Sequence, residues 1–263
     1  LPENVMVSAD GTKKYLFRVQ DKFVEAVYIP EKDRATLCVS SQVGCKMNCL
    51  FCMTGKQGFG CNLTSGEILN QMQAIPEFDK LTNVVFMGMG EPMDNVKNVL
   101  AALEIMTSDY GYAWSPKRVT VSTVGIVPGM REFLQKSSCH LAVSLHNPFP
   151  DERLAMMPIE KAYPIVDVLS EIKEYDFTGQ RRVSFEYTMF KGKNDTPRHV
   201  AELKRLLDGL ECRMNLIRFH AIPDVPLEGS SDGEIEKFQS ELSKRGLLAT
   251  IRKSRGEDIF AAC

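Results

Sequence analysis

No run of apolar residues in this chain is long enough to cross a bilayer. The longest, such as 84–89 and 249–251, are strand-sized, whereas a helical span needs about 20 residues. The start, Leu1-Pro2-Glu3-Asn4, lacks the basic and apolar pattern of an export signal. These absences predict a cytoplasmic protein. An excess of one charge is missing too: 32 Lys and Arg stand against 34 Asp and Glu. The overall field therefore does not mark a nucleic-acid binder, and any RNA contact must rest on local patches. Arg181-Arg182, the run Arg252-Lys253-Ser254-Arg255, and Lys46 with Lys56 are candidates, and each also reads as a solvated face. Low-complexity tracts are absent, as is any repeat beyond an alternation of strand and helix patterns.

What is present suits one large or two small globular domains, with 44% hydrophobic and 25% charged residues over 263 positions. Eight cysteines would suggest a disulfide framework in a small exported chain. Here three of them crowd into Cys45-Lys-Met-Asn-Cys49-Leu-Phe-Cys52, which favours reduced thiols holding a metal. A four-iron cubane takes four ligands, so a loop supplying three thiolates leaves one iron open to bind something else. Zinc is the rival, with Cys61 or Cys38 as a fourth ligand. Cys139 and Cys212 read as buried packing, and the 13 scattered methionines as core filling.

Runs 14–18 and 23–29 predict a hairpin, so that residues 1–34 form a β extension ahead of a core over 35–263. Within the core, strand-like runs at 36–40, 83–89, 119–123, 140–145, 183–189 and 214–219 alternate with helical patterns at 65–73, 96–106, 165–175, 198–207 and 233–245. Residues 222–232 read as a surface loop. The alternation predicts an α/β fold with parallel strands, a partial (βα)6 TIM-like barrel open on one side. Chemistry in such folds sits at the C-terminal ends of the strands, where the cysteine loop falls.

Cys-x3-Cys-x2-Cys with Phe51 before the last cysteine resembles the radical S-adenosylmethionine (SAM) enzymes. Gly88-Met89-Gly90-Glu91-Pro92 is similar to the Gly-Gly-Glu-Pro element by which those enzymes hold the amino group of SAM. The residue types agree, since glycines permit close backbone approach and a carboxylate complements an ammonium. The stretches 36–45, 119–123, Ser144-Leu145-His146 and 251–263 narrow the resemblance to the RlmN/Cfr family of radical SAM RNA methyltransferases.

That resemblance implies a [4Fe-4S] cluster on Cys45, Cys49 and Cys52. SAM contacts are implied from Gly90, Glu91, Ser122, Ser144, Leu145 and His146, and from His220, where relatives often carry Asn. Two SAM molecules would serve each turnover. Cys263 would take a methyl from the first, and a 5′-deoxyadenosyl radical from the second would remove a hydrogen from that methyl. The resulting carbon radical would add to carbon 2 of adenine 2503 in 23S rRNA or adenine 37 in tRNA. Glu25 would accept a proton, and Cys38 would release the product by a transient disulfide with Cys263. That pairing requires the two Cα atoms to approach within about 4.4–6.8 Å, which a mobile C-terminal segment would allow. Arg252, Lys253 and Arg255 are expected to lower the Cys263 pKa. The resemblance further implies a flavodoxin-type electron donor, a monomer, and an accessory helical domain without counterpart in 1–34. Carbon-8 methylation and a non-catalytic iron-sulfur or zinc module that binds RNA remain as alternatives.

Overall fold

The computed structural model describes residues 1–177, 179 and 181–261. Ten strands form one sheet: β1 (Asn4–Val7), β2 (Lys13–Val19), β3 (Lys22–Pro30), β4 (Ala35–Cys38), β7 (Asn83–Phe86), β8 (Val119–Thr123), β9 (His140–Ser144), β10 (Val183–Met189), β11 (Cys212–Arg218) and β12 (Ala249–Ile251), adjacent in that order. Between β4 and β7 in the chain lies a separate two-stranded ribbon, β5 (Gln42–Gly44) with β6 (Phe59–Asn62). Strands β1 to β4 pair antiparallel, and every pairing from β4 through β12 is parallel. The partial barrel therefore carries a seventh parallel strand beyond the six expected. β12 has only three residues, too few for its alternation to stand out in the sequence. The 1–34 segment extends the sheet, because β3 pairs with β4.

Helices cover one face of the parallel strands. Helix Val96–Thr107 buries Val99, Ala102, Leu103 and Met106, a one-face spacing for a helical period of 3.6. Capping boxes start two others, Thr64 with Glu67 and Ser231 with Glu234. Helices Val127–Lys136 and Pro150–Met156 go beyond the sequence expectation. Each opens with Pro in its first turn, where proline is tolerated although its usual message is a break. The opposite face follows from the two-residue period of a strand. On β8, Val119, Val121 and Thr123 are buried, while Thr120 and Ser122 are half-buried on the other side. Pairing carries this inner face across the sheet from Cys38 to Val85, Thr120 and His140, and through Ser144, Glu186, Asn215 and Thr250.

A candidate radical SAM active site

The cysteine loop leaves the inner face after β4 and returns through the β5–β6 ribbon. Gly44 (φ +71°) makes that return possible, since a Cβ there would stand 1.7 Å from the Gly58 carbonyl oxygen. The loop rests in a small apolar cluster of its own, in which Cys49, Met156, Met157, Phe190 and Leu227 are buried and Phe51, Phe219 and Val225 pack around them. The Leu50 N–H donates to the Met156 carbonyl at 2.9 Å, tying the loop to helix Pro150–Met156.

Cys45 and Cys49 are buried and Cys52 is half-buried. Burial pushes the Cys45 thiol up to about 11. Burial first, then the neighbouring Cys52 and Cys45, raises the Cys49 thiol further, and Arg153 opposes the shift. Desolvated thiols whose charged forms repel one another suit a cationic cluster, which would deprotonate them on binding. Among the described residues no group of three or more His, Cys, Asp or Glu side chains is disposed to hold a single metal ion. A cubane differs in asking for thiolates at separate corners.

The loop after β7 holds Gly90 and Glu91. Gly90 adopts φ +98°, and a Cβ there would fall 2.5 Å from the Gln42 side chain. The Glu91 carboxylate is braced within the fold, with about one of its four lone-pair sites left over. It accepts from the Met93 N–H (2.9 Å), the Thr123 hydroxyl (2.6 Å) and the Val124 N–H (2.9 Å). Burial pushes its carboxyl up to about 7, against the pull of those three bonds. Glu91 thus fixes the turn that carries Gly90. Gln42 completes the brace: its amide oxygen accepts from the Glu91 N–H at 2.8 Å, and its amide nitrogen donates to Asn62 and Asp94.

The other expected contacts also lie at strand ends. Ser122 and Ser144 are half-buried on β8 and β9. Leu145 is fully buried. His146 is buried at φ +54°, with its ring edge-on to Phe51 of the cysteine loop (centroids 4.8 Å apart). Its Nδ1 accepts from the Thr188 N–H at 2.9 Å, so a neutral ring carries its proton on Nε2. Burial, then Arg153, brings the imidazole pKa down to about 3. The unfolded ring binds a proton below its ordinary 6.5 and the folded ring does not until about 3. The stability from the neutral ring is therefore complete above pH 6.5 and lost as pH falls toward 3, on the order of a few kcal/mol. Urea unfolding between pH 7 and 4 is expected to show this acid slope in the native chain, and a shallower one in His146→Gln. His220, half-buried past the end of β11, bonds Ser254 at 2.8 Å.

Cys38 ends β4 and is buried. Register places Glu25 on the same face: Val27 pairs with Cys38, and Glu25 lies two residues before Val27 on the antiparallel β3. The Glu25 carboxylate is 3.3 Å from Lys14 Nζ. Cys263 lies outside the described residues. Of the cations expected to tune it, Arg252 pairs with Glu186 (3.3 Å) and Arg255 with Asp10 (3.9 Å). Cys139 is buried in the core, and Cys61 and Cys212 pack against it.

Sequence reasoning missed Arg153. It is fully buried and pairs with Glu160. It also donates to the carbonyls of Leu145 (3.1 Å), Val124 (3.0 Å) and Ser144 (3.0 Å), which pins the ends of β8 and β9 together. An arginine inside a short helix gives no sequence signal of burial.

A three-thiol loop and a Gly-Glu-Pro turn at the strand ends of an open parallel barrel define a radical SAM enzyme, and residues 39–206 match the Radical SAM superfamily. The chain is 62% identical to a probable dual-specificity RNA methyltransferase RlmN of Parabacteroides distasonis over all of its length and 77% of the relative's. It is 44% identical to the dual-specificity RNA methyltransferase RlmN of Syntrophus aciditrophicus, covering 78% of that protein. The crystal structure of a radical SAM methyltransferase from Sphaerobacter thermophilus superposes with a TM-score of 0.94 at 40% identity, over all of this chain and 80% of the other. The chain belongs to the RlmN family of dual-specificity RNA methyltransferases.

Proposed function

We propose that the chain methylates carbon 2 of adenine 2503 in 23S rRNA and of adenine 37 in tRNA, with Cys263 as methyl carrier. The observation that carries this reading is the shared inner face: Cys38, Glu25, Ser122 and Ser144 lie on one side of the sheet, and the three-thiol loop packs at its strand ends, with Phe51 against His146 just past Ser144. A site with only Cys45, Cys49 and Cys52 would make a radical and have nothing to resolve a covalent RNA intermediate. When bound, the cluster supplies the electron that cleaves SAM. Carbon 2 lies between two ring nitrogens and lacks a lone pair to attack a sulfonium methyl, so the methyl must come from a carrier thiol as a radical. The target base must be unpaired or flipped to reach the barrel mouth.

Cys263 takes the methyl; once the adduct radical has given up one electron, which the bound cluster would take back, Glu25 receives the carbon-2 proton, and the Cys38 thiolate attacks the Cys263 sulfur, breaking its bond to the methylene carbon, which takes up a proton to become the methyl as the RNA leaves and the Cys38–Cys263 disulfide forms. Gly90 and Glu91, with Ser122, Ser144, Leu145, His146 and His220, surround SAM, and two SAM molecules are used per product. The enzyme acts in the cytoplasm as a monomer, with a flavodoxin-type donor. No helix among the described residues is long and apolar enough to span a membrane.

The deciding experiment incubates the cluster-loaded chain with SAM, a reductant and unmodified 23S rRNA, then digests the RNA and places the new methyl by mass spectrometry. Methyl on adenine carbon 2 with release of 5′-deoxyadenosine is expected. Methyl on carbon 8 alone would transfer the chain to the sister activity, and neither product would leave a binding module.

A further inference from the structure

The segment that ends on Cys263 is not a loose arm over its described length. After β12 it closes a one-turn 3-10 helix, Glu257–Ile259, flanked by left-handed Gly256 (φ +64°) and Phe260 (φ +52°). The Ala261 N–H donates back to the Gly256 carbonyl at 2.9 Å, and Ile259 is buried. This turn is fastened to residues almost the whole chain away. The Asp258 carboxylate accepts from the Ser8 hydroxyl (2.5 Å) and the Ala9 N–H (3.0 Å). Asp10 accepts from the Gly256 N–H (3.1 Å), while its other oxygen shapes its own turn through the Thr12 N–H (2.9 Å). Lys14 Nζ reaches the Phe260 carbonyl (3.4 Å). A Cβ on Gly256 would stand 3.0 Å from the Thr12 methyl, so the two turns are in close contact.

We propose that the turn between β1 and β2 is a latch for the C-terminal segment: Ser8, Asp10 and Lys14 are positioning residues that hold Gly256, Asp258 and Phe260 and so confine Cys263 to the reach of Cys38. The inference rests on the methyl-carrier reading of Cys263. Its geometry comes from the register. Lys14 pairs with Val27, and Val27 with Cys38, in one row on one face. Lys14 Nζ, which holds the Phe260 carbonyl, also stands 3.3 Å from the Glu25 carboxylate, so the described end of the segment is held on the face that bears Cys38, three residues before Cys263. Released from the latch, the arm would start at Ser254, which His220 still holds, nine residues from Cys263. Effective concentration falls roughly as the −3/2 power of length, so a threefold longer arm lowers it about fivefold.

The test needs no turnover. Full chain purified without cluster, with an unmethylated Cys263 confirmed by intact mass, is oxidised with diamide. Two thiols lose two electrons and two protons to the reagent, which is reduced to the hydrazine. The Cys38–Cys263 peptide is then followed over time by mass spectrometry. Native chain is expected to form the link, and Ser8→Ala/Asp10→Asn to form it up to about fivefold more slowly. Asp258→Ala, which breaks the latch from the other side, should slow it in the same sense. Hydrogen exchange at Gly256 and Ala261 should rise in both variants while β9 and β10 stay protected, which separates latch release from unfolding. A link that never forms in native chain, or that forms at an unchanged or faster rate in either variant, overturns the latch. Failure of the function itself would show separately, as absence of 5′-deoxyadenosine from the cluster-loaded native enzyme.

Discussion

Cys38→Ala is expected to convert the enzyme into a trap for its own substrate. Under the proposed scheme the methyl carbon is bonded both to the Cys263 sulfur and to adenine, and the RNA leaves when a second thiolate takes over that sulfur. Cys38 is placed for this by its strand: it ends β4, faces inward, and shares its row with Val27 and Lys14. Alanine keeps the volume nearly unchanged and removes no charge, so the fold and the three-thiol loop should persist. Each chain should then complete about one methyl transfer and stop, leaving an RNA–protein adduct that survives denaturing electrophoresis and is destroyed by ribonuclease. Cys263→Ala should give no adduct, because the carrier sulfur is gone. Clean multiple turnover by Cys38→Ala would remove Cys38 from the scheme and leave the three-thiol reading intact.

Features of this fold are legible in the sequence where their information is contiguous. The cysteine loop and the Gly-Glu-Pro turn each spell their chemistry within a few residues, and both follow inner strands of the barrel as the strand-end rule expects. Glu91 is legible as a position, but its bracing is not. Its three donors come from its own turn and from the end of β8, which no local pattern reveals. The partners of the basic run at 252–255 are likewise invisible locally: Arg252 pairs with the buried Glu186, and Arg255 with Asp10. The fastening of Asp258 to Ser8 spans 250 positions. Only the antiparallel extension of the sheet, which carries the β1–β2 turn to the C-terminal segment, brings those residues together.

Arg153→Ala is expected to be the most destabilising single change on the chain. The side chain is fully buried and serves four acceptors: the Glu160 carboxylate and the carbonyls of Val124, Ser144 and Leu145. Burial lowers its pKa, and Glu160 opposes the shift. Breaking such a pair from one side leaves a buried, uncompensated carboxylate, at a cost of about 3–5 kcal/mol, and strands three carbonyls as well. For a domain of this size that corresponds to a fall of roughly 10 °C in Tm, readable by thermal unfolding of the cluster-free chain. Arg153→Lys should recover only part of the loss, because an ammonium lacks the planar fork that reaches several acceptors at once. Arg153→Met with Glu160→Gln should recover part by another route, removing both charges while leaving the carbonyls unserved. Iron loading should fall in step with stability, since Met156 at the end of the same helix holds the Leu50 N–H of the cysteine loop. If Arg153→Ala unfolds like the native chain yet fails to load iron, the arginine acts on the thiols through its charge; if it loses both, the pinning of the strand ends is what lets the loop form.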